Sequence, residues 1–113
     1  MKRTYSFLIP ILMSASFASN AITCVNYSKI TSVLIPNNNR TEIRVKPQTI
    51  NLDQSAYNNG RVQIWEGSSY ERWKQKRDLL LMAFSLNKPV TIHSNDDNCM
   101  GNDDEFNIVV GSK

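Results

Sequence analysis

The chain is 113 residues long, with thirteen basic and ten acidic side chains, which suits one domain rather than several. Two of the basic residues, Lys2 and Arg3, lie in a segment that we expect to be removed, which leaves the charge nearly balanced. Four of the other eleven basic side chains form a short cluster at 72–77, and together they make no long stripe, so a nucleic-acid partner is excluded.

The first 21 residues have the pattern of an export signal. After the basic start, residues 7–13 form an apolar run, and Ser19-Asn20-Ala21 provides a small-x-small cleavage site. The run is too short for a membrane-spanning helix, which needs about 20 apolar residues. We therefore expect cleavage near Ala21 and one domain of residues 22–113, secreted or periplasmic.

Cys24 and Cys99 are the two cysteines and lie on either side of most of the expected mature domain. An oxidising compartment favours pairing them. A crosslink closing so long a loop contributes about 4 kcal/mol in the chain-entropy model. The alternatives are a metal pair or a catalytic thiol, but two thiols and His93 have no recognised metal-ligand spacing. We predict a disulfide and no metal or cofactor.

Strand patterns dominate the first half of the mature chain. Residues 22–35 are rich in branched and aromatic side chains, and Pro36 to Asn39 is a turn signal. Residues 41–46 alternate, which directs Ile43 and Val45 to a core. The polar residues between and beside them are predicted to face water: Glu42, Arg44 and Lys46. The two segments predict a hairpin ended by Pro47, and the structure of residues 46–61 stays open.

One helix is well marked, after a short strand at Val62–Trp65. Ser68 and Glu71 fit a capping box, and Asn87 and Pro89 mark the end of the helix. Side chains at three- and four-residue steps form one stripe: Tyr70, Trp73, Arg77, Leu80, Leu81 and Phe84. Residues 79–84 are all apolar, which favours burial on a second side, either under the chain's own strands or against another subunit. We predict that the subunit interface includes Trp73, Leu80 and Phe84.

The last part of the chain predicts two strands, 90–93 and 106–110, on either side of an acidic loop at 94–105. The loop misses the spacing of a helix–loop–helix calcium site, so a solvated loop is favoured over an ion site. Strand alternation places His93 on the face opposite Ile92, which is the outer face. A structural role for this histidine is therefore favoured over a role as a general base.

The element order predicts a mainly β chain with one helix, arranged as a small Greek-key barrel of the oligonucleotide/oligosaccharide-binding (OB) type. An α+β fold, with one helix packed on an antiparallel sheet, is the alternative.

Three segments resemble the B subunits of AB5 toxins, in particular those of subtilase cytotoxin and typhoid toxin. They are 64–70 (IWEGSSY), 87–93 (NKPVTIH) and 26–32 (NYSKITS). The resemblance implies an OB-fold subunit without enzymatic activity, assembled as a homopentamer around its helices. It implies that Ser28 contacts a host-surface glycan, in this family often a sialylated one, with Tyr27 as its aromatic neighbour. A catalytic A subunit would be the partner, and a membrane would be reached only through glycan receptors.

Two other classes of function stay open from the sequence. One is a stand-alone periplasmic or secreted interaction protein that does not bind glycans. The other, a small secreted enzyme or inhibitor, is disfavoured because no nucleophile motif accompanies the single histidine.

Overall fold

The computed structural model describes residues 21–37, 40–49 and 60–111. Most of the expected signal segment, and most of the segment 46–61, lies outside the described residues. The elements in chain order are β1 (Ile22–Leu34), β2 (Glu42–Pro47), β3 (Val62–Trp65), α1 (Tyr70–Ser85), β4 (Pro89–Ser94), β5 (Met100–Asn102), a 3-10 turn (Asp103–Glu105) and β6 (Phe106–Val110).

The strands form one sheet with the order β5-β3-β2-β1-β4-β6. The long first strand serves two neighbours, since residues 22–29 pair with β4 and residues 30–34 pair with β2. All pairings are antiparallel except that of β3 with β5, so the sheet is mixed instead of purely antiparallel. The prediction of a mainly β chain with one helix is confirmed for the described residues.

The core lies between α1 and the sheet. From the helix, Trp73, Leu80 and Ala83 are buried, and the indole N–H of Trp73 donates to the carbonyl of Ile64 at 3.4 Å. The strands contribute branched side chains, because alternation sends every second residue inward. The fully buried aliphatic ones are Val25, Ile43, Val45, Val62, Ile64, Val90 and Ile92.

The predicted disulfide between Cys24 and Cys99 is confirmed. Their Cα atoms are 5.8 Å apart, and both residues are fully buried in the core. The bond ties β1 to the residue just before β5. The carbonyl of Cys99 also accepts the N–H of Gln63 at 3.1 Å, so this end of the sheet is held by a covalent bond as well as by β3.

The helix begins one residue later than the predicted capping box. Ser69, not Ser68, is the N-cap, and its hydroxyl accepts the N–H of Arg72 at 3.2 Å. The prediction that Ser68 caps the helix together with Glu71 is wrong. Either of the adjacent serines could serve as the N-cap, and the N–H of Ser68 is bound to Asp104 in the acidic segment. Asn87 ends the helix as predicted, with φ of +56°, a conformation that asparagine tolerates.

The acidic segment 94–105 is more ordered than a solvated loop. It contains β5 and the 3-10 turn, and the fully buried Asp103 accepts the N–H of Gly67 at 2.6 Å. Asp104 accepts the N–H of Ser68 at 2.9 Å, a bond that holds the pKa of that carboxyl below its ordinary value of 3.8. These carboxylates fix the approach to α1. In the described part of the chain, no group of acidic, histidine or cysteine side chains is placed to hold a metal ion.

The burial of Glu42 contradicts the prediction that this side chain faces water. Glu42 lies on the opposite face from Ile43, as expected, but it is only 2% exposed. Its carboxylate accepts hydrogen bonds from the amide of Gln63 and from Arg44, the latter at 2.7 Å. Neighbouring polar side chains cover this face of β2 and β3, which alternation alone does not predict.

Candidate functional site

A bulge in β1 contains a residue with an unusual backbone conformation. The register with β4 shifts between Val25 and Ser28, and Tyr27 within the bulge has φ of +53°. Residues other than glycine, asparagine and aspartate rarely have a positive φ, and the exceptions cluster at functional sites. The Tyr27 N–H donates to the hydroxyl of Thr91 at 3.0 Å. Bulges re-aim side chains, and Tyr27 here is 45% exposed.

A groove of about 450 Å³ opens beside the bulge. We call it the Ser28 groove; its lining residues are Asn26, Tyr27, Ser28, Lys29, Gln48, Thr49 and Pro89. Ser28 is only 7% exposed, and its hydroxyl accepts the N–H of Thr49 at 2.9 Å. The N–H of Gln48 donates to the carbonyl of Lys29 at 2.7 Å. The two residues that follow β2 are therefore held against β1 and form one wall of the groove.

The chemistry of the Ser28 groove suits a hydroxyl-rich ligand. It combines a phenol ring, hydroxyl groups and side-chain amides, and such polar groups fix the orientation of a ligand in a concave site. Among the described residues that line the groove, Lys29 is exposed and is the only charged one. The groove therefore favours a neutral or anionic ligand.

A second, smaller concavity of about 280 Å³ adjoins the groove. We call it the His93 cleft; it is lined by Asn26, Thr91, His93 and Val109. The imidazole Nδ1 of His93 lies 3.0 Å from the hydroxyl oxygen of Thr23, so a hydrogen bond orients the ring. No carboxylate or thiol belongs to the described lining of the groove or the cleft, so His93 has no acidic partner there for acid–base catalysis.

The three residues predicted for a subunit interface separate into two groups. Trp73 and Leu80 are 3% and 0% exposed because the chain's own core covers them, whereas Phe84 is 41% exposed. A subunit contact through the helix would therefore use Phe84 and the other exposed apolar residues of the helix and its C-cap: Tyr70, Met82 and Leu86.

Sequence reasoning found part of this site. Tyr27 and Ser28, named from the resemblance, both line the groove. Gln48, Thr49 and Thr91 were missed because they come from distant parts of the chain and have no local motif. Pro47, the last residue of β2, is the nearest local signal to residues 48 and 49.

Comparisons with protein-family models, with curated proteins and with solved structures find no match to this chain. In the described part of the chain, no helix is long and apolar enough to cross a membrane.

The strain at Tyr27 gives a stability prediction. Glycine adopts a φ near +53° without steric cost, whereas alanine retains the Cβ penalty. We expect Tyr27→Gly to be more stable than Tyr27→Ala by about 1 kcal/mol in chemical denaturation. Both variants lose the ring, so the pair isolates the backbone. Equal unfolding midpoints would contradict a strained backbone at this position.

Proposed function

We propose that this protein is a secreted, non-enzymatic B-type toxin subunit that binds host-surface glycans and delivers a catalytic A subunit. The observation that carries the proposal is the Ser28 groove, in which the strained Tyr27 and the hydroxyl of Ser28 lie side by side. These are the two residues that the resemblance to AB5 B subunits assigns to the sugar site.

The strand pairings support an OB-type barrel for this subunit. An OB-fold is a five-stranded, partly open Greek-key barrel. Here β1, β2 and β3 form a meander, α1 follows β3, and β4 returns to pair with β1. The continuous segment 100–110 then pairs with β3 through β5 and with β4 through β6. Such a barrel closes when one segment pairs with a strand at each end of the sheet, as this segment does with β3 and β4.

The groove chemistry supports a saccharide as the ligand. A sugar presents C–H groups on its ring faces and hydroxyl groups around its edge, so it needs both apolar and polar partners. Tyr27 offers an exposed aromatic ring, while Ser28 and Gln48 offer hydrogen-bonding groups. The Lys29 ammonium can pair with a carboxylate, which fits a sialylated glycan without requiring one.

A glycan array tests the site directly. The Ser28→Ala variant removes one hydroxyl from the groove, and we expect binding to fall about tenfold, as for a lost hydrogen bond to a desolvated ligand. The matched control is Ser32→Ala on the same strand, a residue outside the groove lining, which should bind as the wild type does. Unchanged binding by Ser28→Ala would remove Ser28 from the site.

Assembly is tested separately, because a ring of subunits would gain avidity from several weak sites at once. The exposed apolar residues of α1, including Phe84, support a second covering surface. Native mass spectrometry of the wild type should give a pentamer. A strict monomer at micromolar concentration would contradict the ring and favour a stand-alone interaction protein.

A further inference from the structure

We propose that the His93 cleft is a second compartment of the same site and binds the next sugar ring of the glycan. The ligand is then at least a disaccharide whose first ring occupies the Ser28 groove. This inference rests on the proposed function and deepens it by setting the length of glycan that the site recognises.

The two concavities share a lining residue. Asn26 lines both, and it lies in the β1 bulge directly before Tyr27. Thr91 lines the cleft, and its hydroxyl also accepts the N–H of Tyr27 at 3.0 Å. A lining residue of the cleft thus binds the backbone of Tyr27, a lining residue of the groove. A ligand that crosses Asn26 would therefore contact both compartments.

The size of the cleft suits a single ring. Its volume of about 280 Å³ lies just below the range of about 300–1,000 Å³ typical of pockets that enclose a whole drug-sized molecule. The Ser28 groove, at about 450 Å³, is the larger compartment. A ligand of two linked rings therefore matches the pair better than one ring or a compact bulky group does.

The chemistry of the cleft differs from that of the groove. Val109 is 44% exposed and presents an aliphatic surface to the cleft that His93 also lines. The hydrogen bond between His93 and Thr23 orients the imidazole ring. An apolar surface of this kind packs against the C–H face of a pyranose. Lysine and arginine are absent from the described lining of the cleft. A charged terminal sugar would therefore prefer the groove, with its Lys29, and a neutral second sugar would prefer the cleft.

The single histidine of the sequence makes the cleft directly observable by proton NMR, provided the protein carries no histidine tag. The probes are two matched pairs: methyl β-galactoside with lactose, and methyl α-N-acetylneuraminide with 3′-sialyllactose. For the pair that binds, we expect the longer probe to shift the His93 imidazole resonances and the monosaccharide to leave them in place. Equal shifts from both members, or none from the longer probe, would overturn the proposal.

Affinity measurements on matched variants complete the test. The Val109→Gln variant replaces the aliphatic wall with a neutral polar chain, while Leu34→Gln makes the same change at an exposed strand residue outside the cleft. We expect Val109→Gln to lose the advantage of the longer probe, a loss of about tenfold, and to keep the monosaccharide affinity. Leu34→Gln should retain both affinities. A Val109→Gln variant that retains the advantage would overturn the second compartment.

The same data separate the two proposals. Wild-type protein that binds both members of a pair equally, and loses both on Ser28→Ala, refutes the second compartment and leaves the glycan site standing. Wild-type protein that binds no probe and no glycan on an array refutes both.

Discussion

Loss of the disulfide is expected to lower the free energy of unfolding by about 2–5 kcal/mol. Cys24 and Cys99 are 75 residues apart in sequence, so the bond closes a long loop in the unfolded chain. In the folded chain it anchors β5, a strand of only three residues. Small domains have thin cores, so a loss of this size removes a large part of their total stability.

Denaturation of the wild type with and without reductant measures this contribution, and the Cys24→Ala/Cys99→Ala variant is the control. The reduced wild type and the double variant should unfold at similar, lower denaturant concentrations, and reductant should not affect the double variant. A wild-type midpoint that is the same in both conditions would contradict a stabilising disulfide.

Asp103→Ala is expected to cost about 3 kcal/mol, because it leaves buried groups without their partners. Asp103 is fully buried, accepts the N–H of Gly67 at 2.6 Å, and has one carboxylate oxygen 3.6 Å from the ammonium of Lys76. Lys76 also donates to the backbone carbonyl of Asp103 at 2.5 Å. The substitution therefore loosens both the entry to α1 and the turn between β5 and β6.

Asp97→Asn is the control for this prediction, since Asp97 is an exposed acid of the same segment and should change stability little. Adding Lys76→Met to Asp103→Ala should recover part of the loss, because it removes the ammonium that lacks a counterion. If Asp103→Ala and Asp97→Asn unfolded at the same urea concentration, the buried carboxylate would have no structural role.

Local pattern was enough to predict the elements that depend on neighbours in sequence. Apolar spacing gave the helix at Tyr70–Ser85, and Asn87 gave its end. Alternation gave the inward direction of Ile43 and Val45. The disulfide followed from the expected compartment together with the presence of only two cysteines.

What was missed depends on contacts between distant residues. Glu42 is buried because its carboxylate binds Gln63 of β3 as well as Arg44, two residues along β2, and no pattern within β2 reports the contact with Gln63. The strand β5 has the sequence Met-Gly-Asn, which carries little intrinsic preference for a strand; its pairing with β3 determines its conformation. The candidate site was only partly predicted for the same reason, because Thr49 and Thr91 contact the region of the β1 bulge only in the folded chain.

The most direct test of the glycan site is a crystal structure of the protein with the strongest glycan from the array. We predict a sugar ring in the Ser28 groove, with a hydroxyl within hydrogen-bond distance of the Ser28 oxygen and a ring face against Tyr27. A glycan bound elsewhere would contradict this account. The exposed guanidinium of Arg40, which lies 4.7 Å from the centre of the Trp65 ring, marks one such alternative surface.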